Sequence, residues 1–301
     1  PEAVLNVKAH MRIRTILLQR SSVKSLTFLG DMFDGVQCPC ILLQLIATGK
    51  PLSTAGMMIE DRTRTYTIAM ERTVVPENFS FRMTDEEYRV LEKIKNSIPV
   101  CYLADHADFA LGIVTGNNKK FLSAEKTEHS EMVLKGTDIC KYHINPAKQY
   151  LRFEPEQFQQ VAPLEIYRAP EKLLYRFISN QLVVAYDDRQ MLSLNSCNIV
   201  IPKIEGMQIK YILAILNSSV SQFVYQKEFH SIKVLRAHME HIPIPRVGKA
   251  IQNEIIAMTE PLICGMGKEA AETCQKRLDC RIMDLFRLSA EEQWIIRHAL
   301  H

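Results

Sequence analysis

The chain has 301 residues, 47% hydrophobic and 24% charged, with a formal net charge of +3 and eight cysteines. That balance excludes a disordered or collagen-like chain and suits about two globular domains with a buried core. The longest apolar run, residues 40–47 interrupted by Gln44, is far too short to cross a bilayer.

PEAVLNVKAHMRIR shows no secretory pattern of charged start, apolar block and small-residue cleavage site, so the sequence predicts a cytoplasmic protein without membrane contact. Cys38 and Cys40 are the closest cysteine pair and no C-x-x-C occurs, which argues against structural zinc and a disulfide framework. The cysteines read as reduced thiols. The charge permits nucleic-acid binding without demanding it, because only clustered charge acts at a distance.

In chain order, residues 5–19 space Leu5, Ala9, Ile13, Ile16 and Leu17 like one face of a helix. VKSLTFLG and CILLQLIA follow as two strands bridged by DMFDGVQCP, an opening that looks like a piece of a larger α/β domain. Residues 48–80 hold short strands such as RTYTIAM, broken by Gly49, Pro51, Gly56 and Pro76. Thr84-Asp85-Glu86-Glu87 is a capping box that predicts a helix over 84–96, and Pro99 marks the next boundary. Strands are expected at 111–114, 151–153, 173–178, 182–186 and 197–201, then one helix, QIKYILAILNSSVSQFVYQKE. Pro243 and Pro245 close this region. Helices are expected over 249–258, 268–286 and from Ser289, where Ser289-Ala290-Glu291-Glu292 forms a second capping box. Ala271, Cys274, Leu278, Ile282 and Leu285 make a stripe that predicts packing within the chain rather than a dimer seam.

Catalytic patterns are missing from this sequence. His230, His238 and His241 lie close together, but no acidic partner falls at a recognised metal-ligand spacing. There is no G-x-S-x-G, and no cysteine has a recognisable catalytic setting. Asp187-Asp188 reads as a turn, since adjacent carboxylates on a strand point to opposite faces. Gly265-Met266-Gly267 lacks the third glycine and preceding strand of a dinucleotide loop. The expectation is no catalytic residue, no metal and no cofactor in this chain.

Basic and polar residues gather at strand ends: Thr115, Gly116, Asn117, Asn118, Lys119, Lys120, Lys135, Arg168, Arg176, Arg189, Gln190, Lys233 and Arg236. Singly they are solvated surface groups. On one face they would form a phosphate track, with Asn, Gln and Arg able to read base edges.

LGIVTGNNKKFL, VLKGTDICKY, APEKLLYRFISNQLVVAYDD, YILAILNSSVSQFVYQ and VLRAHMEHIPIP, in that order, resemble the TaqI-like C-terminal specificity domain. This is the target-recognition domain of adenine-N6 DNA methyltransferases and fused restriction-modification enzymes. MRIRTILLQ, VKSLTFLG and MFDGVQCPCILLQL resemble the end of the methyltransferase catalytic domain, and LDCRIMDLFRLSAEEQWII the terminal helix pair. Two lysines after Gly116-Asn117-Asn118 depart from the family's G-x-N-A, and Arg176 stands where two arginines are common. The family's N-P-P-aromatic motif and glycine-rich S-adenosylmethionine loop are missing; Asn145-Pro146-Ala147 is the nearest string.

The resemblance implies an α+β fold: a mixed-sheet DNA target-recognition domain over 100–246, preceded by an α/β methyltransferase remnant over 1–50 and a connecting segment over 51–99. A helical tail over 247–301 follows. It implies double-stranded DNA and the missing catalytic domain as partners. S-adenosylmethionine would serve the full-length enzyme, and a flipped adenine would receive its methyl group. Thr115, Gly116, Asn117, Asn118, Lys119, Lys120, Lys135, Arg168, Arg176, Arg189, Gln190, Lys233 and Arg236 would contact DNA. A specificity subunit of a multi-subunit restriction system, or a protein-interaction scaffold using the helical tail, are the alternatives.

Overall fold

A computed structural model describes residues 1–36, 38–77, 79, 81–229 and 231–300. It divides the chain into one unit of residues 1–91 with 227–229 and a second of 92–226 with 230–301.

In the first unit, helix α1 (Met11–Arg20) leads into strands β1 (Ser21–Asp31), β2 (Pro39–Ala47), β3 (Met58–Glu60) and β4 (Thr65–Thr67). They form one sheet in the order β2-β1-β3-β4. β1 and β2 are antiparallel with two register shifts, while β3 lies parallel to β1. Val23, Leu26 and Phe28 of β1 meet Ile59, Ile68, Phe79 and Phe81 in the core. The sequence places β1 and β2 correctly, but the helix expected over 5–19 begins only at Met11 and its face differs from expectation. Leu5 is buried and Leu17 packs on the core, whereas Ile13 and Ile16 are about half exposed and Arg14 is buried. Residues 2–5 and 8–10 are 3-10 turns, so helical phase does not run on from Leu5. Arg14 turns inward to donate to Val4 O at 2.8 Å, Val7 O at 2.9 Å and Pro76 O, so three backbone carbonyls receive its buried guanidinium. The Thr84 capping box forms as expected at helix α2 (Asp85–Asn96): the Thr84 amide donates to Glu87 Oε2 at 2.9 Å and the Glu87 amide to Thr84 Oγ1 at 3.2 Å.

The second unit continues with β5 (Val100–Cys101), β6 (Ala107–Ala110), the one-turn helix α3 (Asn118–Phe121), β7 (Leu122–Ser123), β8 (Glu131–Leu134) and β9 (Tyr150–Leu151). Next come α4 (Leu164–Tyr167), β10 (Lys172–Arg176), β11 (Val184–Asp187), β12 (Leu192–Ser193) and β13 (Cys197–Pro202). One sheet runs β11-β10-β13-β6, all antiparallel, and another β12-β8-β9-β7 with β12 and β8 parallel. One core draws on both: Val133, Leu134, Leu151 and Leu192 from the second sheet, Leu174, Ala185, Cys197 and Ile199 from the first. The strand expected at 111–114 is displaced: β6 precedes it, and Ile113 and Val114 make only isolated bridges, to Leu194 and Gln160.

The single helix expected after β13 is two, α5 (Ile209–Asn217) and α6 (Ser219–Glu228). Ser218 is extended at ψ 158, and its hydroxyl and that of Ser221 both donate to Ile215 O, at 2.7 and 2.6 Å. Asp279 then accepts from the Ser219 amide at 2.8 Å and its hydroxyl at 2.6 Å. Serine hydroxyls thus satisfy the carbonyl at the break, and a distant carboxylate caps the new helix. Residues 211–217 are all buried, which explains a helix apolar on every side. Its buried Asn217 amide closes the edge of β11, accepting from Val184 N at 3.1 Å and donating to Val184 O at 2.8 Å.

After helix α7 (Arg236–Glu240) and β14 (Ile244–Pro245), which pairs with β5, the tail is helical: α8 (Lys249–Cys264), α9 (Lys268–Leu285) and α10 (Ala290–Ala299). Leu278 and Ile282 of the predicted stripe are buried, and Cys274 Sγ lies 3.3 Å from Met258 O of α8, so the stripe packs within the chain. The Ser289 capping box is present. Among the described residues no helix is long and apolar enough to cross a membrane.

Candidate nucleic-acid interface

Three short backbone segments meet at the end of the two sheets. Ile113 N–H donates to Ser193 O at 2.7 Å, Asn195 N–H to Ile113 O at 3.1 Å, and Leu194 N–H to Leu134 O at 2.7 Å. Gly112 allows this approach, because any Cβ there would strike the carbonyl of Leu194. The turn after Val114 rests on an edge-to-face aromatic pair, with Phe121 and Phe158 ring centroids 5.3 Å apart.

Within that turn the predicted residues have divided roles. Gly116 sits at φ +77, a conformation glycine adopts without strain. Thr115 is buried, and its hydroxyl donates to Asn118 Oδ1 at 2.6 Å, leaving the Asn118 NH2 end for a ligand. Asn117 caps α3, accepting from Lys120 N–H at 3.3 Å, so its oxygen is occupied locally. Lys120 lies 4.6 Å over the Phe121 ring, and Lys119 is exposed.

Asn118 and Lys119 line an open cleft of about 400 Å³ with Leu122, Lys135, Gln149, Leu194, Asn195 and Ser196. Lys135 is placed by a tight turn: its amide donates to Asp138 Oδ2, and the Gly136 amide to Ser196 Oγ, both at 2.9 Å. Sequence reading missed Gln149, Asn195 and Ser196. Asn195-Ser196 sits between two strands as a polar turn, a signal the sequence does carry; Gln149 offered none.

Arg176 and Arg168 are turned inward. Arg176 Nε donates to Gly136 O at 2.9 Å and Nη2 to Ile139 O, so its guanidinium staples the Lys135 turn. Arg168 donates to Gln190 O at 2.6 Å and pairs with Glu131 at 2.5 Å. Both guanidinium groups are thus engaged by the protein's own acceptors.

Arg189 and Gln190 are exposed on the turn after β11, Gln190 at φ +57. Asp187 builds that turn, accepting from the Arg189 amide at 2.8 Å and the Met191 amide at 2.9 Å. Beneath it Lys172 Nζ lies 2.6 Å from Asp187 Oδ2, with both side chains fully buried, and donates to Tyr167 O at 2.6 Å. Burial, opposed by Asp187, holds the Lys172 ammonium below its ordinary range. Asp187 ends β11 and is buried while Asp188 is exposed just beyond it, so the expected turn pair is split between strand end and loop and the two carboxylates do not share a site.

Lys233 and Arg236 sit apart from the cleft lining. Lys233 Nζ is 6.0 Å from the Phe177 ring centroid, and Arg236 pairs with Glu240 at 2.7 Å while lying 5.2 Å over Phe109. His238 Nδ1 accepts from Leu235 N–H at 3.2 Å and His241 Nδ1 lies 2.6 Å from Ala237 O, so both rings engage backbone. His230 lies outside the described residues. Among the described residues no cluster of three or more His, Cys, Asp or Glu has the arrangement of a metal site.

The solved structure of the Type IIL restriction-modification enzyme MmeI in complex with DNA aligns with 99% of this chain at a TM-score of 0.58 and 10% identity. The chain spans 48% of that protein, about half its length. The type IIG restriction endonuclease BpuSI aligns with 95% of this chain and 46% of its own, at TM-score 0.38 and 10% identity. The HsdS subunit from Thermoanaerobacter tengcongensis aligns with 72% of this chain and 50% of its own, at TM-score 0.35 and 14% identity. No curated protein matches the chain. The fold thus resembles about half of MmeI, and the segment from the start of β8 into β14, residues 131–244, matches the model of the TaqI-like C-terminal specificity domain.

Proposed function

We propose that this chain is the sequence-reading part of a restriction-modification enzyme and that it binds duplex DNA across the cleft of the second unit. The observation that carries this reading is the convergence of Asn118, Lys119, Lys135, Gln149, Asn195 and Ser196, from four segments, on one cleft. Such a set combines phosphate-neutralising ammonium groups with amides that pair with base edges. The likeness to MmeI, whose structure holds DNA, supports the same reading. In the longer enzyme this part would hold the site while another domain transfers a methyl group from S-adenosylmethionine to adenine N6, as the family resemblance implies.

Arg189 and Gln190, fixed by the Asp187 turn, would add a second contact. Arg168 and Arg176 would act by holding the turns that present Gln190 and Lys135. The test is selection of bound duplexes from a random pool, followed by affinity against salt concentration. A short enriched motif is expected. Lys119→Gln and Lys135→Gln should each reduce the slope of log affinity against log salt by about one. Asn118→Ala should leave that slope unchanged and relax preference at one position, by roughly 1–3 kcal/mol. Salt-independent binding, or a folded chain that binds no duplex at low salt, would reject the proposal.

A further inference from the structure

Two segments beside the cleft form a short ribbon. Ser179 N–H donates to Ile232 O at 3.0 Å and Val234 N–H to Phe177 O at 2.8 Å, with Ile178 and Lys233 as an antiparallel bridge. Ile178 is 61% exposed and Ile232 68%. Residues directly opposite across an antiparallel pair share a face, and successive residues alternate. Ile178 therefore shares a face with Lys233, while Ile232 takes the other. An isoleucine on each face of one ribbon suits no flat partner, because a flat surface covers one face only. A groove has two walls.

We infer that residues 177–179 and 232–234 enter the major groove of duplex DNA, where Ile178 and Ile232 contact thymine methyl groups. This rests on the DNA-reading proposal above. The major groove admits a two-stranded ribbon, and the thymine methyl is the apolar group displayed there. Charge agrees: residues 177–182 and 231–237 contain no carboxylate and Lys233 is basic, while Arg236 is paired with Glu240 beyond the ribbon. Asn180 and Gln181, exposed at the tip, supply amides of the kind that pair with base edges.

The ribbon is also held firmly. Tyr225 Oη donates to Ser231 O at 3.0 Å, Leu182 N–H to Gln222 Oε1 at 2.9 Å, and Leu235 N–H to His238 Nδ1 at 3.2 Å. It adjoins the cleft, because Phe177 N–H donates to the carbonyl of Ser196, a cleft residue, at 3.0 Å. One duplex could meet both.

The test uses the full chain and the most enriched duplex from the selection, synthesised with thymine or with uracil. The two differ only in the 5-methyl group. The natural chain should bind the thymine duplex about four-fold more tightly for each methyl contacted. Ile178→Ala/Ile232→Ala should bind both duplexes equally, near the natural chain's affinity for the uracil duplex, with its salt slope unchanged. Ile178→Val and Ile232→Val, which trim one methylene each, should show intermediate preference and guard against misfolding of the double variant. Equal binding of both duplexes by the natural chain would overturn the ribbon assignment and leave the cleft reading intact. A folded chain that binds neither duplex would overturn both.

Discussion

Lys172→Met removes the ammonium beneath the Arg189–Gln190 turn and leaves its length in place. Lys172 and Asp187 are fully buried and 2.6 Å apart, so the variant strands a carboxylate in the interior. Removing one partner of a buried pair costs about 3–5 kcal/mol. Here the Arg189 and Met191 amides still donate to Asp187, which compensates part of the stranded charge and puts the cost near the lower end. About 3 kcal/mol is a large share of the ~5–15 kcal/mol that hold a domain folded. Expressed as local opening, it is roughly a hundred-fold. Hydrogen exchange at the Arg189 and Met191 amides should therefore accelerate about a hundred-fold, relative to strands remote from the turn. Lys172→Met/Asp187→Asn should regain at least half of the lost protection, since the charge is gone and one acceptor oxygen stays. DNA affinity and base discrimination should fall in the single variant with the salt slope unchanged, because Lys172 cannot reach phosphate. Unaltered protection of both amides in Lys172→Met would refute the claim that the ion pair supports this turn.

Two further predictions concern the frame and its acid sensitivity. Gly112→Ala should cost about 2 kcal/mol or more, because the new methyl meets the Leu194 backbone rather than a side chain that can swing away, and thermal unfolding measures it. Burial pushes His238 down to about 4, its interaction with the Lys233 backbone opposes this, and His241 lowers it further. Its folded value lies below the unfolded one near 6.5, so the stability it confers is present above about 6.5 and is lost as pH falls through about 4. Denaturant titrations over that range should show the loss, His238→Asn should flatten it, and an unchanged profile would count against burial of the His238 ring as its source.

The short-range signals were legible in the sequence. Thr84 to Glu87 and Ser289 to Glu292 each form the box their spacing implies, because both partners lie within one turn. Strands at 173–178, 182–186 and 197–201 were found within a few residues, since their apolar runs are buried in one core. The order of five weak motifs pointed to the specificity-domain family whose model matches 131–244, a stretch that takes in the later four up to Ile244 but not LGIVTGNNKKFL.

Tertiary structure alone decided which charges face outward. Arg14, Arg168 and Arg176 look like any surface arginine in the sequence, yet each donates to carbonyls that the chain brings from elsewhere. Pairing Arg176 with Gly136 requires the two sheets to have met, and bringing Gln149 beside Asn118 in one cleft requires β7 to pair with β9. The same holds for Ser218, where Asp279 from the tail caps a helix that local propensity would have run straight through. The sequence by itself determined the elements and their kinship, because those depend on neighbours a few residues away. Where each polar side chain finds its partner depends on buried acceptors far along the chain, and only the assembled fold supplies them.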